Sequence, residues 1–242
     1  SGRSLHPSIP LKDGNRMVIR HYLHGGLFRS LTRDLYLFGS RAFHELALTE
    51  EIISSGIPTI QPIGAIQRFI FPLFYKAYLL SLEVPQAMDL VQYLRKIGPR
   101  PSRENLLGKR RTIQNAGLLL RQFHQAGFFH GDLQLKNIIA TGGRLLLIDF
   151  DHSYRKATLS CEERMKNLLR LNRSVEKWKR LGLPITRADR LRFFLAYAGD
   201  DAKIREAMQR VFSTYSMRSF VHRLGWFLGR ILNKNKELSS LG

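Results

Sequence analysis

Three oxygen-bearing side chains suit phosphoryl transfer by their types and spacing. Asp132 and Asn137 lie five residues apart within the segment 130–137, which reads HGDLQLKN, and Asp149 follows Asn137 by twelve residues. An aspartate can accept the proton of a hydroxyl group, and the side-chain oxygens of Asn and Asp are ligands that Mg²⁺ accepts. The sequence therefore predicts a catalytic carboxylate, Asp132, beside a metal site formed by Asn137 and Asp149.

A hairpin would bring Asn137 and Asp149 together. Residues 137–140 favour a strand, Thr141-Gly142-Gly143 favours a tight turn, and the apolar run 145–148 favours a returning strand. Taken one at a time, the three polar residues could instead be a turn cap, a turn residue and the end of a buried strand. Their joint spacing around an apolar hairpin favours chemistry.

The charge of the chain indicates an anionic partner. The 242 residues include 39 Lys and Arg but 19 Asp and Glu, which gives a formal net charge of +20. Nucleic acid, an anionic membrane surface and a phosphorylated or carboxylated substrate each fit this charge, and solvated helix faces of a basic protein are the alternative. The hydrophobic content of 44% indicates a globular chain, Cys161 is the single cysteine, and no apolar run is long enough to span a membrane. We therefore expect a cytosolic protein or one peripheral to a membrane.

The hydrophobic pattern predicts an α+β chain of two lobes. A strand-rich first third contains one long helix, which begins near Ser40 and ends at 56–58, and the remainder is mainly helical around the hairpin. The lobe boundary is expected after residue 84, so that the lobes are 1–84 and 85–242. Expected strands are 15–23, with a turn at His24-Gly25-Gly26, then 59–66, 67–74 and 76–84; expected helices are 88–97, 104–127, 159–180, 187–198, 201–214 and 217–233.

The pattern H-x-D-x-x-x-x-N, with a later Asp, resembles the catalytic segment of the protein-kinase-like superfamily. The resemblance implies a bilobal fold with a small β-rich N-lobe and a larger, mainly helical C-lobe, ATP as phosphate donor, and Mg²⁺. It also implies that Asp132 is the base and that Asn137 and Asp149 are the metal ligands. Gly131 stands where protein kinases carry an Arg that reads a phosphorylated activation loop, and no A-P-E motif follows Asp149. The chain is therefore more similar to small-molecule kinases than to regulated protein kinases.

The same resemblance suggests how the nucleotide phosphates are held. Arg20 ends the run Met17-Val18-Ile19-Arg20, in the place of the Lys of the kinase motif V-A-I-K, and Glu45 matches the helical Glu that pairs with that Lys. An exposed strand Arg and an exposed helix Glu are the alternative. No G-x-G-x-x-G is present, and only Gly2 and Gly14 precede the strand, so an abbreviated phosphate loop is expected.

The expected adenine contact lies at the lobe boundary. The strand that ends in Glu83-Val84 runs into Pro85, as at a kinase hinge, so backbone groups of Glu83 and Val84 would meet the adenine edge. This assignment rests on position, and a plain connecting loop is the alternative.

A more specific similarity is to the lipopolysaccharide core kinases, in particular the family of 3-deoxy-D-manno-octulosonic acid (Kdo) kinases. The segments that carry it are 19–27, 33–37, 41–45, 56–58, the two motifs at His130 and Asp149, and the Arg-rich stretch 167–174. The resemblance implies transfer of the ATP γ-phosphate to a hydroxyl of Kdo in the Kdo-lipid A inner core. It also implies a peripheral location at the cytoplasmic face of a Gram-negative inner membrane.

An acidic acceptor would explain the basic charge. Candidate acceptor or phosphate contacts are Arg170 and Arg173, three residues apart on one helix face, and Lys136, which could instead steady the γ-phosphate. Solvated surface cations are the alternative for all three. The segment 218–232 combines aromatic, aliphatic and Arg residues, so it could lie in a membrane interface or pack on the second lobe.

Two other functions remain open from the sequence. One is a heptose kinase or another small-molecule kinase of the same fold, and the other is a non-catalytic, basic membrane- or nucleic-acid-binding module. The intact Asp132, Asn137 and Asp149 set argues against the module, whereas the absent Gly-rich loop argues for it. The expected partners are Kdo-lipid A or a related anionic glycolipid and an anionic membrane surface, with nucleic acid disfavoured and no obligate protein partner.

Overall fold

The structure, a computed structural model, describes residues 7–22, 36–37, 41–71 and 74–211. The chain forms two compact units, Ser1–Tyr197 and Ala198–Gly242. The expected turn at His24-Gly25-Gly26 and the expected helix 217–233 lie outside the described residues. The expected division into lobes at 84/85 stays a prediction.

An antiparallel sheet, whose strands are not in sequence order, occupies the amino-terminal part of the first unit. Its order is β1-β2-β5-β3, and β4 also pairs with β5. Along β5 the side chains alternate between half-buried and buried, as expected for a strand with one face on a core. The strands are β1 (Ser8–Pro10), β2 (Arg16–His21), β3 (Tyr36–Leu37), β4 (Pro62–Phe71) and β5 (Phe74–Leu82).

One strand prediction is wrong. The two strands expected at 59–66 and 67–74 are a single long strand, β4, which follows β5 across register shifts at Pro62/Gly64 and Phe69/Phe71. The expected break at Ile66-Gln67 contains none of the Gly, Pro, Asn or Asp residues that a tight turn requires. The pairing with β5 is irregular at the two register shifts, but the strand continues through both of them without a turn.

Helix α1 (Arg41–Ser54) packs its buried stripe toward the sheet. Ala42, Glu45, Leu48, Thr49 and Ile52 are buried and recur at the three- and four-residue spacing of one helix face. The helix ends as predicted near Gly56, whose positive φ of 72° suits glycine. Glu45 is the acidic member of this otherwise apolar and small-residue stripe.

The remainder of the first unit is mainly helical, as expected. Asp89 and Ser160 form capping boxes that begin α2 and α4, because each side chain accepts from the amide three residues later and that residue's side chain accepts from the capping amide. The small sheets are β6-β8-β9 and β7-β10. The elements are β6 (Met88–Asp89), α2 (Leu90–Ile97), α3 (Arg103–Gln125), β7 (Phe128–Phe129), a 3₁₀ helix (Leu135–Asn137), β8 (Ile138–Thr141), β9 (Arg144–Leu147), β10 (Tyr154–Arg155), α4 (Cys161–Arg180) and α5 (Arg187–Ala198).

The second unit is described only in part, and it continues as a helix over 202–211. In the part of the chain that the structure describes, no helix is long and apolar enough to cross a membrane.

A buried polar network lies between α3, α4 and the chain after β7. Asn167 accepts at Oδ1 from His124 Nε2 (2.9 Å) and from the His130 amide (3.2 Å), and its Nδ2 donates to the His130 carbonyl (2.7 Å). Tyr197 lies 2.6 Å from Nδ1 of His124. The Asn167 side chain thereby fixes to α4 the start of segment 130–137, which is called the catalytic segment below, and its own polar groups are all hydrogen-bonded.

Acidification should destabilise the protein through His124 and His130. Burial lowers the pKa of each imidazole to about 4, so between about pH 4 and 6.5 the unfolded chain binds protons that the folded chain does not. The unfolding free energy is therefore greatest above about pH 6.5 and falls toward pH 4, by up to about 1.4 kcal/mol per pH unit for each histidine. In urea unfolding measured across this pH range, the unfolding free energy of His124→Gln should fall less steeply with decreasing pH than that of wild type. An unchanged pH dependence would contradict the lowered pKa of His124.

A second stability prediction concerns the ion pair between α3 and α5. Lys109 Nζ lies 2.7 Å from Asp189 Oδ2, both residues are about 4% exposed, and Lys109 also donates to the Pro184 carbonyl. Lys109→Met leaves the buried Asp189 carboxylate with only the longer ion pair to Arg192 (3.5 Å), so we expect a loss of about 3 kcal/mol of unfolding free energy, at the lower end for a broken buried pair. Urea denaturation measures the loss. Adding Asp189→Asn should restore part of it, and a single variant as stable as wild type would refute the prediction.

Candidate active site

The catalytic segment is positioned by His130, which is fully buried. Its Nδ1 accepts from the Asp132 amide (3.1 Å), so Nε2 carries the proton and donates to the Ile148 carbonyl (3.1 Å). Phe123 and Phe150 pack around the same ring, with centroid distances of 6.2 and 5.5 Å. A neutral imidazole thus joins the segment at Asp132 to the strand that leads to Asp149.

Gly131 is required by packing as well as by motif. A Cβ at this position would lie 2.5 Å from the Asp151 carbonyl oxygen and 2.5 Å from the His152 carbonyl carbon. The Gly131 amide donates to Ser153 Oγ (2.9 Å) in the same passing chain. A larger residue, including the Arg of protein kinases, would force these two segments apart.

Both carboxylate oxygens of Asp132 are hydrogen-bonded. Oδ1 accepts from Arg170 Nε (2.9 Å) and Nη2 (2.6 Å), and Oδ2 accepts from Gln134 Nε2 (2.7 Å). The side chain is nevertheless 41% exposed, so an acceptor can approach it. A neutral amide is displaced more easily than a guanidinium. An incoming hydroxyl would therefore replace Gln134 as the hydrogen-bond donor to Oδ2.

The hairpin prediction is confirmed. Strands β8 and β9 pair with Ile138 opposite Leu147, and the Ile148 amide donates to the Asn137 carbonyl (3.0 Å). Asn137 Nδ2 donates to the Asp132 carbonyl (2.9 Å), which leaves the amide oxygen Oδ1 as its ligand atom. Asp149 has a left-handed φ of 70°. The structure therefore brings the ends of the two strands together at Asn137 and Asp149, although their roles as metal ligands stay predictions.

The donor set suits Mg²⁺ bound jointly with phosphate. Within residues 7–22, 36–37, 41–71 and 74–211, no three His, Cys, Asp or Glu side chains are grouped as a metal cage. Mg²⁺ is usually bound by one or two protein oxygens together with substrate phosphates and water. Asn137 Oδ1 and the Asp149 carboxylate are oxygens of this kind, so the residues fit the ion only as part of a nucleotide complex.

Arg20, Glu45 and Asp149 form one charged chain across the site. Arg20 donates from Nη1 to Glu45 Oε1 (2.8 Å) and from Nη2 to Asp149 Oδ1 (2.5 Å). Burial opposes the charge of Arg20, but Glu45 and Asp149 outweigh it and raise the pKa of the guanidinium. The expected pairing of Arg20 with Glu45 is thus present, and the exposed alternative is wrong for Glu45, which is 2% exposed.

Glu45 is held from three directions. Its Oε1 also accepts from the Phe150 amide (3.0 Å), and the Tyr22 hydroxyl donates to Oε2. Burial raises the pKa of Glu45, and the charge of Arg20 opposes that rise. The carboxylate therefore ties α1 to β2 and to the chain immediately after Asp149.

A second link from α1 was missed at the sequence level. Arg41 forms a two-point ion pair with Asp151, with 2.5 Å between Nε and Oδ1. Arg41 lies one helical turn before Glu45, and Asp151 lies two residues after Asp149. These offsets were the available signal, since i, i+4 residues share a helix face. Gln134 was also missed, although it lies only two residues after Asp132.

The hinge candidates are only partly free for a nucleotide. The Glu83 amide donates to the Arg16 carbonyl (2.8 Å), and its carboxylate pairs with Arg16 (3.0 Å). The Val84 carbonyl accepts from the Ala87 amide (3.3 Å). The Glu83 carbonyl and the Val84 amide are the two other backbone groups of these residues. The predicted hydrogen bonds to an adenine edge are therefore limited to these two groups. Gly14 lies in the turn between β1 and β2, and Gly2 lies outside the described residues.

The acceptor candidates lie on or beside α4. Arg170 contacts Asp132 directly, and Lys136 Nζ lies 5.2 Å from the centroid of the Trp178 ring. Arg173 is exposed on the same helix. The structure thus brings Arg170 to the predicted base and directs Lys136 to an indole, a contact that the sequence did not suggest.

This fold and this arrangement of side chains define a protein-kinase-like protein. A solved structure described as WaaP in complex with acyl carrier protein shares the fold, with a TM-score of 0.56, 19% identity and 88% coverage of both chains. The model of the lipopolysaccharide kinase (Kdo/WaaP) family matches residues 9–197. The chain belongs to that family.

Curated relatives are consistent with this membership. The chain is 34% identical over 165 residues to the 3-deoxy-D-manno-octulosonic acid kinase of Vibrio vulnificus (strain YJ016), across 66% of this chain and 65% of the relative. It is 32% identical over 190 residues to the protein of the same name from Pasteurella multocida (strain Pm70), across 73% of each. The match thus spans just under two thirds of the Vibrio relative's length.

Removing the charge of Glu45 should weaken nucleotide binding. In Glu45→Gln, Arg20 keeps only Asp149 as a charged partner, so it is drawn away from the phosphate-binding position. We expect ATP with Mg²⁺ to bind about tenfold more weakly, measured by isothermal titration. Glu50→Gln, an exposed change of equal charge on α1, is the control and should leave affinity within about twofold. Equal effects of the two variants would refute the role of Glu45.

Proposed function

We propose that this protein is an ATP-dependent sugar kinase that phosphorylates a hydroxyl of Kdo in the Kdo-lipid A inner core of lipopolysaccharide. The observation that carries the proposal is the partly exposed Asp132 carboxylate on a segment whose carbonyl accepts from Asn137, the residue at the hairpin end that adjoins Asp149. Membership of the Kdo/WaaP family and similarity to proteins named Kdo kinases support the choice of acceptor.

The donor half of the reaction falls to Arg20, Asn137 and Asp149. Arg20, held by Glu45, offers its guanidinium to the nucleotide phosphates, where a planar fork can contact two oxygens. Asn137 Oδ1 and the Asp149 carboxylate would hold Mg²⁺, which when bound neutralises charge on the β- and γ-phosphates. Because Asp149 already bonds Arg20, the cation and the metal ligand are fixed with respect to each other.

The acceptor half falls to Asp132. The sugar hydroxyl displaces the Gln134 amide, gives its proton to Oδ2, and its oxygen forms a bond to the γ-phosphorus as the bond from that phosphorus to the β-γ bridging oxygen breaks. The products are a sugar phosphate and ADP. Arg170 stays at Oδ1 and fixes the plane of the carboxylate during transfer.

The acceptor's acidity fits the charges around Asp132. Kdo carries a carboxylate; Arg170 supplies a cation at the base, and Lys136 and Arg173 add cations on the catalytic segment and on α4. The net charge of +20 fits a peripheral position on an anionic membrane, at the cytoplasmic face of the inner membrane. The absence of an obligate protein partner stays a prediction, and the acyl carrier protein described with WaaP belongs to that structure.

Loss of the base should abolish transfer without abolishing nucleotide binding. Asp132→Ala removes the proton acceptor, so we expect kcat to fall by about 10³ or more while ATP affinity stays within about twofold. Transfer of labelled γ-phosphate from ATP to Kdo-lipid A measures the rate. Asp132→Asn is the isosteric companion and should be equally impaired. A wild-type rate for Asp132→Ala would show that Asp132 is not the base.

The identity of the phosphorylated sugar distinguishes the candidate functions that remain. Mass and NMR location of the new phosphate distinguish a Kdo kinase from a heptose or other small-molecule kinase. A protein that binds no ATP with or without Mg²⁺ would instead be a basic binding module, and the salt dependence of its binding to duplex DNA and to anionic vesicles would then identify its partner.

A further inference from the structure

Three cations from three elements surround one indole beside the catalytic segment. The distances to the centroid of the Trp178 ring are 4.9 Å from the Arg95 guanidinium carbon, 5.2 Å from Lys136 Nζ and 5.9 Å from Lys177 Nζ. Arg95 lies in the last turn of α2, Lys136 lies in the 3₁₀ helix, and Lys177 lies in the last turn of α4. These four residues are called the Trp178 cluster below.

Within the residues that the structure describes, the cluster contains no acidic partner for its cations. Arg95, Lys136 and Lys177 form no ion pair there, whereas several other cations of α4 and α5 do. Lys166 pairs with Glu162, Arg170 with Asp132, and Arg190 with Glu176. Cations that each lie within 5.9 Å of one ring centroid repel each other.

Local interactions offset this repulsion only in part. Arg95 and Lys177 lie in the last turns of their helices, where the helix dipole is worth about 0.3–1 kcal/mol to a cation, and each exposed cation–π contact is worth about as much. These interactions are enough to stabilise one cation beside the ring. A convergence of three around one ring is the arrangement that binds an anion.

The cluster is continuous with the base along α4. Arg170, Ser174, Lys177 and Trp178 share one helix face, and Ser174 Oγ accepts from the Leu135 amide (3.2 Å), which fastens the catalytic segment to that face. Seven residues of helix separate Arg170 from Lys177, a rise of about 10 Å. Lys177 therefore lies about two turns along α4 from Arg170, the residue that contacts Asp132.

We propose that the Trp178 cluster binds a second anionic group of the acceptor, a phosphate monoester on a sugar next to the one that is phosphorylated. This proposal rests on the proposed function and names the feature of the acceptor that the protein reads. In lipid A the phosphates supply such a group. Arg170 then serves the reacting sugar at Asp132, and the Trp178 cluster holds the neighbouring unit.

Binding without catalysis tests the site directly. The chain has two Trp residues, so in a Trp226→Phe protein the emission of Trp178 reports on the cluster. Titration with the bisphosphorylated lipid A disaccharide headgroup, without Kdo and without ATP, should change that emission, and the dephosphorylated disaccharide should not. In the same background, Lys177→Gln should weaken binding about tenfold.

Lys179→Gln is the matched control, since it removes the same charge from an exposed position on the same helix. It should change headgroup affinity by less than about twofold. Equal weakening by Lys179→Gln and Lys177→Gln would mean that only overall charge matters, and would overturn the proposal. Displacement of the headgroup by ATP would overturn it as well, because the cluster would then belong to the nucleotide site. Inorganic phosphate that binds as tightly as the headgroup would show that the cluster does not read a sugar-linked group.

Kinetics separate this proposal from the proposed function. With Kdo-lipid A as acceptor, Lys177→Gln should raise the acceptor KM about tenfold and leave kcat and the ATP KM unchanged. With a dephosphorylated acceptor, wild type and Lys177→Gln should have the same KM, and a persistent difference would count against the cluster. If no Kdo acceptor is phosphorylated by wild type, the proposed function fails, whereas the headgroup titration still judges the site.

Discussion

The site is assembled around one buried carboxylate, Glu45. Arg20, Tyr22 and the Phe150 amide all donate to it, so one side chain of α1 fixes a strand of the sheet and the segment after Asp149. A buried carboxylate is tolerated only with such partners, because loss of one leaves a charge without compensation. The position of Arg20 beside Asp149 therefore depends on α1 being in place, and so does the conformation at Asp149.

The second half of the site is assembled by neutral groups. Asn167 and His130 connect α4, the catalytic segment and Ile148 through hydrogen bonds that neither carry nor gain charge near neutral pH, because burial lowers the pKa of His130 to about 4. Charged residues thus hold Asp149 in place, and neutral residues hold the segment that carries Asp132. The cations proposed to contact the acceptor, in contrast, lie on exposed or half-exposed positions of α2, the 3₁₀ helix and α4.

Much of this arrangement could be predicted because it is local in sequence. Turn residues at 141–143 specified the hairpin, and the resemblance to the kinase motif paired Glu45 with Arg20. The single long strand β4 and the ion pair of Arg41 with Asp151 depended on register and on contacts between residues about a hundred positions apart. The engagement of Asp132 by Gln134 depended on backbone geometry. Patterns of residue type do not determine such features.

Gly131 has a consequence for how the protein is controlled. Its Cα rests against the backbone of Asp151 and His152 with no room for a side chain, so the segment after Asp149 and the segment that carries Asp132 cannot move independently. Phosphorylation-driven rearrangement in protein kinases relies on that independence. Here the two segments pack backbone against backbone, so a rearrangement of one must displace the other.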